Sequence, residues 1–378
     1  MKMALCTVII LMYVVVCSTC FAANQSASAN APKVYVHIGP SKTGTTYIQD
    51  VFARLKDELP ARGVCWPTDS SKGGYFLYLA RALDANDEKL VSLFRNNIDD
   101  CIEKGLTVII SSEHFHFMKD LSTFYEFFKG YNTYIIAFHR EMISWAYSSY
   151  TQQNKFEVSP VPFGEHMLEV ASTMIMTNSS SSRPNVRKFE KMFGRKNMVF
   201  VDFDGAIAAG KDIAFVILCD ILGIYCNDLP AVPHSQSNVR PEMLPFNIMS
   251  MLIHFIRVLG CTVCGKVMGK NMQEFVKRFD SLPTVKLDYV QLPGLWELSD
   301  KEEVNFLREY GDLMLYKNQT ATRNVARSFS IMELDQEEFY NNIQNTKWLR
   351  NEVNKLYKDG FLCDCPDNMQ KLMGLVSS

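Results

Sequence analysis

VYVHIGPSKTGTTYIQ, residues 34–49, is the stretch on which the fold turns. Val34 to Ile38 form a nearly continuous apolar run rich in β-branched side chains, which reads as a strand buried on both faces of a sheet. Gly39-Pro40-Ser41-Lys42-Thr43-Gly44-Thr45-Thr46 follows, after which Ile48, Val51, Phe52 and Leu55 recur at helical spacing. A loop closing onto a helix N-terminus aims unpaired backbone N–H groups at one point, where the helix dipole also favours negative charge. Phosphate is the natural occupant. Gly44 lets the backbone approach closely, while Lys42, Thr45 and Thr46 add a cation and two hydroxyls. The common nucleotide-binding loop reads G-x-x-x-x-G-K-[ST]. Here Gly39 and Gly44 keep the glycine spacing, but the lysine stands at Lys42, before the second glycine.

Outward from this segment, further apolar runs lie at 106–110 (LTVII), 134–138 (YIIAF) and 198–203 (MVFVDF). Between them Leu90, Phe94, Ile98 and Cys101, and later Ile213, Val216, Ile217 and Ile221, repeat at helical spacing. Strands alternating with helices predict an α/β fold: a three-layer parallel β-sheet flanked by helices, of the P-loop nucleotide-binding type. A helix carrying Arg187, Lys188 and Phe189 should turn at Gly194. Beyond Asp228 the strand signal fades, and the C-terminal region reads as mostly helical, broken at Pro241, Pro245, Pro283 and Pro293.

The N-terminus bears on the compartment. Lys2 precedes an apolar run from Met3 to Phe21, and Ala22 with Cys20 two before it permits signal-peptidase cleavage. Residues 1–23 are therefore expected to be a cleaved signal peptide or a short signal anchor, which would tie the chain to a membrane only if uncut. The Ala-, Ser- and Asn-rich segment 24–32 reads as a flexible stem. Residues 33–320 then form the main domain and 321–378 a charged helical extension. Once the leader's cysteines are set aside, eight remain: Cys65, Cys101, Cys219, Cys226, Cys261, Cys264, Cys363 and Cys365. Disulfides are the expected use of this even set, in preference to a metal site on Cys261-x-x-Cys264. Sequons at Asn24, Asn178 and Asn318 fit the secretory pathway. With a formal net charge of -2 and a pI near 6.4, the 378-residue chain lacks the excess of basic charge that a nucleic-acid binder carries.

The loop at 39–46, with its KTGTT core at the first strand–helix junction, resembles the 5'-phosphosulfate loop of sulfotransferases that use 3'-phosphoadenosine-5'-phosphosulfate (PAPS). That resemblance implies PAPS as co-substrate, bound by Lys42, Thr43, Gly44, Thr45 and Thr46, and no metal in the active site. It implies a second nucleotide element too, an arginine at a later strand end followed eight residues on by a serine, both on the 3'-phosphate. Arg140 and Ser148 match that spacing. The base is expected after the strand between the two nucleotide motifs. Glu113, followed by Phe115 and Phe117, resembles the glutamate of the polysaccharide-modifying branch, with His114 and His116 as substitutes. Lys42 would stabilise charge on the departing phosphate. The recognisable order covers residues 33–225.

The implied protein is a lumenal or secreted enzyme of the Golgi type, transferring sulfate to a hydroxyl or amine, with a carbohydrate or glycoprotein as first-choice acceptor. Two other readings compete. A phosphoryl-transfer enzyme would use Asp202, at the end of the run 198–203, to hold magnesium, but the Gly-Lys-[ST] step is missing. A catalytically inactive lumenal nucleotide-binding protein would keep the fold without turnover. His37 and His139 read as packed strand histidines, Trp145 and Phe203 as core, and Arg187 and Lys188 as a solvated helix face.

Overall fold

The computed structural model describes residues 32–68, 75–118, 120–153, 166–170, 172, 183–229, 260–263, 284–288, 294–320, 330–334 and 362–366. The leader and stem expected at 1–31, and the sequons at Asn24 and Asn178, lie outside the described residues.

Strand β1 (Lys33–His37) runs into the loop at 38–44 and then helix α1 (Thr45–Leu55). Next come β2 (Val64–Cys65), α2 (Phe76–Ala85), α3 (Glu88–Glu103), β3 (Thr107–Ser111), a 3-10 turn at Glu113–Phe117 and α4 (Leu121–Phe128). After β4 (Asn132–His139) follow α5 (Met142–Gln153), α6 (Arg183–Phe193), β5 (Met198–Asp202) and α7 (Phe203–Ala208). A helical turn at Ile213–Phe215 continues into the π-helical stretch Val216–Ile221. Beyond it lie β6 (Thr262–Val263), β7 (Thr284–Asp288), α8 (Leu295–Tyr310), β8 (Met314–Leu315), β9 (Ser330–Leu334) and β10 (Leu362–Asp364).

Six strands form one sheet in the order β2-β3-β1-β4-β5-β8, parallel throughout as the alternation of strands and helices predicts. Valines and isoleucines of β1, β3 and β4 are fully buried, because helices cover both faces. Each helix contributes one apolar stripe. On α1, Ile48, Val51, Phe52 and Leu55 face the sheet. The 3-10 turn is anchored by Phe115, buried edge-to-face against Phe124 and Phe128 of α4.

Sheet order locates the crevice. From β1 the chain leaves toward β2 on one side, whereas from β4 it leaves toward β5 on the other. The connections from adjacent strands β1 and β4 therefore part at their C-terminal ends, and ligands of open parallel sheets bind at such switch points. His37 pairs in register with Ser111 and His139 with Asp202, so these four residues mark the sheet's C-terminal rim.

Disulfides join Cys65 to Cys101, Cys219 to Cys226 and Cys261 to Cys365, which takes Cys261 out of the alternative metal site. The expected turn at Gly194 is present, with φ of 84°. In the region expected to be mostly helical, α8 supplies a 16-residue helix, and the structure adds strands that the sequence pattern does not announce: antiparallel pairs β7–β9 and β6–β10. No helix among the described residues is long and apolar enough to cross a membrane.

Candidate active site

The loop at 39–44 is held by its carbonyls. Pro40 O accepts from Thr43 Oγ1 at 2.6 Å and from Thr45 Oγ1 at 3.5 Å. Ser41 O accepts from Trp145 Nε1 at 3.1 Å, and Lys42 O from Arg140 Nη1 at 2.5 Å. In a trans-planar peptide the following N–H points opposite to the carbonyl. Fixing these three oxygens against Trp145 of α5, Arg140 after β4, and Thr43 and Thr45 therefore turns the N–H groups of Ser41, Lys42 and Thr43 the other way. Lys42 and Gly44 both take left-handed backbone, at φ 68° and 77°, the alternation that folds successive N–H groups into an anion-binding nest. Gly44 caps α1 with no side-chain hydrogen bond, so the helix N-terminus presents its backbone donors as well.

Gly39 and Gly44 take positive φ, 85° and 77°, where any side chain would be strained. A Cβ on Gly44 would lie 2.1 Å from Ile213 Cδ1, and one on Gly39 would lie 3.2 Å from both Cα and Cβ of Glu113. The second contact sets the loop directly against the turn that carries the expected base. Thr43 and Thr45 are buried, their hydroxyls turned into the loop, while Thr46 is exposed.

Glu113 opens the 3-10 turn after β3. Ser112 caps that turn, accepting from His114 N at 3.3 Å, and its own N–H donates to His37 O at 3.0 Å. The cap is thus Ser112, which leaves Glu113 for another role. Its Oε2 accepts from Gln49 Nε2 at 3.4 Å, a neighbour the sequence does not reveal. Glu113 is half-buried and His114 exposed, whereas His116 is buried. Of the expected bases, Glu113 and His114 therefore reach solvent, whereas His116 does not.

Arg140 follows β4 on the opposite wall. Besides Lys42 O, its guanidinium donates from Nε to Ser144 Oγ at 3.0 Å, faces Asp204 at 3.8 Å and lies over the Phe203 ring at 4.9 Å. Burial lowers its pKa, opposed by Asp204 and Glu141. Ser144 thus accepts directly from Arg140, and Ser148, expected from spacing, stands one turn further along the same face of α5 and is half-buried.

Behind Arg140 lies a buried polar corner. His139 Nε2 meets Glu303 Oε2 at 2.8 Å, its ring stacked 3.9 Å from Phe306 of α8. Burial pulls the His139 pKa down, but Glu303, with Asp202 and Asp204 beyond, outweighs it and raises the pKa. Glu141 accepts from Ile143 N, Ser144 N and Ser299 Oγ, yet burial pushes its pKa up to about 7. His37 is the contrasting case: buried against Ser111 Oγ at 2.8 Å and Phe138, it falls to about 3 by burial.

Asp202, the residue on which the phosphoryl-transfer reading depends, accepts Gly205 N at 2.8 Å on one oxygen and Asn318 N at 3.0 Å on the other. Its carboxylate caps α7 and holds the chain after β8, a structural use. Arg187, read as a solvated helix face, forms a two-pronged exposed pair with Glu309 at 2.6 and 2.7 Å.

Neither a protein-family model nor a curated protein matches the chain significantly. Solved structures with likeness to it include a sulfotransferase from Alicyclobacillus acidocaldarius, with 15% identity, a TM-score of 0.34, and coverage of 59% of this chain and 91% of that one. The sulfotransferase domain of the Synechococcus PCC 7002 olefin synthase has 11% identity, a TM-score of 0.34, and covers 72% and 94%. That of the curacin biosynthetic pathway has 10% identity, a TM-score of 0.32, and covers 72% and 98%.

Proposed function

We propose that the chain is a PAPS-dependent sulfotransferase whose donor sits in the crevice between the ends of β1 and β4. The observation that carries this reading is the loop at 40–44, whose pinned carbonyls turn its N–H groups outward around Lys42 beside Arg140. An anion at each wall suits a nucleotide with phosphates at both ends of its ribose: the 5'-phosphosulfate on the loop and α1 terminus, the 3'-phosphate at Arg140 and the serine face of α5.

Glu113 takes the proton of the acceptor hydroxyl or amine as the acceptor's lone pair forms the new bond to sulfur. The bond from sulfur to the bridging phosphate oxygen breaks, and its electron pair stays on that oxygen. Lys42 stabilises the charge gathering there, leaving 3'-phosphoadenosine-5'-phosphate (PAP) and the sulfated acceptor. His114 is the substitute base if Glu113 is displaced. No metal is assigned a part in these steps. A carbohydrate or glycoprotein is the first acceptor class to test, and the three disulfides support an oxidising compartment such as the Golgi lumen or the exterior.

A labelled-sulfate screen against desulfated heparan, chondroitin, N-acetyllactosamine and a tyrosine-containing acidic peptide tests this directly. Transfer from PAPS is expected, falling about a hundred- to a thousandfold in Lys42→Ala and about a hundred- to ten-thousandfold in Glu113→Gln. Magnesium-dependent turnover of ATP without PAPS turnover would establish the phosphoryl-transfer reading instead. Tight PAP binding with no transfer to any acceptor would leave an inactive binding protein.

A further inference from the structure

Gln49 is a buried amide on the apolar side of α1, between Ile48 and Val51. Its Nε2 lies 3.1 Å from Ser111 O at the end of β3 and 3.4 Å from Glu113 Oε2. Packing alone would favour a hydrophobic side chain there, since burying an amide costs free energy unless its hydrogen bonds are made. One helix thus carries the donor cradle at its first residue, Thr45, and one turn later a hydrogen-bond donor to the acidic side chain across the crevice. Gly39 closes the same junction from the loop side, its backbone packed against Glu113 Cα. Glu113 is therefore tied to Lys42 by two contacts through the strand-β1-to-α1 unit.

We propose that Gln49 is a positioning residue for sulfuryl transfer. It holds Oε2 of Glu113 at a set distance from the donor loop and leaves Oε1 to receive the acceptor's proton. The role rests on the sulfotransferase reading and sharpens it, because it makes the helix that binds the donor also the ruler that places the base. A misplacement of a reacting group by about 1 Å is enough to slow a reaction roughly a hundredfold.

A double-mutant cycle with labelled PAPS, run on the best acceptor of the panel above, distinguishes this role from a merely structural one. Gln49→Met, similar in length but without the amide, is expected to lower kcat about ten- to a hundredfold while the KM for PAPS stays within about twofold. In the Glu113→Gln background the same substitution should lower the residual rate no further. Gln49→Asn, which keeps an amide too short to span both acceptors, should repeat the loss and serves if the methionine variant does not fold. Equal losses in both backgrounds, or a loss confined to the KM for PAPS, would overturn the positioning role and assign Gln49 to the fold or to the donor loop. Full activity of Gln49→Met beside an impaired Glu113→Gln would overturn it while sparing the sulfotransferase reading. A wild-type chain that transfers no sulfate at all would take both down.

Discussion

The two walls of the crevice are built on different plans. The loop between β1 and α1 takes its shape largely from residues within a few positions of one another: left-handed Lys42 and Gly44, Thr43 and Thr45 on Pro40 O, and a helix beginning at Thr45. The wall at Arg140 is a buried charge network assembled from His139, Arg140, Glu141, Asp202, Asp204, Ser299 and Glu303, with its main pair 164 residues apart in sequence. The nest draws its backbone conformation from its own residues, with only single hydrogen bonds from Arg140 and Trp145 reaching it from afar. A buried charge network depends on every member, because removing one partner leaves another uncompensated in a low-dielectric interior.

Glu303→Ala tests that contrast most severely. It leaves His139 buried without its carboxylate, and although the imidazole can shed its proton, a loss of about 3 kcal/mol is expected, the lower end for a broken buried pair. Thermal unfolding should show a melting temperature lower by roughly 4 °C, with Glu303→Gln losing less because an amide still reaches the ring. A loss under about 1 kcal/mol would mean the corner contributes little, and the contrast would fail.

Acid–base behaviour offers the next test. Folding raises the pKa of both His139 and Glu141, the latter to about 7 from 4.5. Each therefore holds its proton more tightly folded than unfolded, so the folded state binds more protons between those values. Stability from the His139 pairing is fully present below pH 6.5 and is lost as pH rises through its raised value; Glu141 acts in the same sense from pH 4.5 to about 7. Buried Asp202 and Asp204, also raised, add to the trend. Urea unfolding should find the protein less stable at pH 8 than at pH 5.5 by about 2 kcal/mol from Glu141 alone. Glu141→Gln should flatten that slope; a slope unchanged in the variant would remove Glu141 from the account.

The same contrast governs what the sequence discloses. β1, β3, β4 and β5 are legible because each is an apolar run, and α1 because its buried positions repeat at helical spacing. β2 and β8, two residues each, carry no periodicity and exist through their pairing with β3 and β5. The loop at 39–44 is legible since its residues are contiguous. The corner is not, because nothing local links His139 to Glu303 or Glu141 to Ser299. Spacing singles out Ser148 alongside Arg140, but it gives no sign of Ser144, one helical turn nearer, which accepts from the Arg140 guanidinium. Gln49 is hidden for a related reason, as a polar residue in a helix reads as a solvent-facing one until the fold brings β3 over it.

Trp145 sits between the two plans and has the smallest expected effect. Read as a core aromatic, it is half-buried and donates its indole N–H to Ser41 O, a bond across 104 residues that reaches from α5 into the local loop. If the loop were wholly self-supporting, this bond would add nothing to anion binding. Trp145→Phe retains much of the apolar surface and removes the donor, leaving Ser41 O without it and freeing the peptide whose other end is the N–H of Lys42. The expected loss is about 1 kcal/mol, or roughly fivefold in PAP affinity by titration calorimetry, with a smaller change in melting temperature than Glu303→Ala gives. Unchanged affinity would make the nest a local structure in full; a loss of tenfold or more would mean that the loop, too, is shaped from across the crevice.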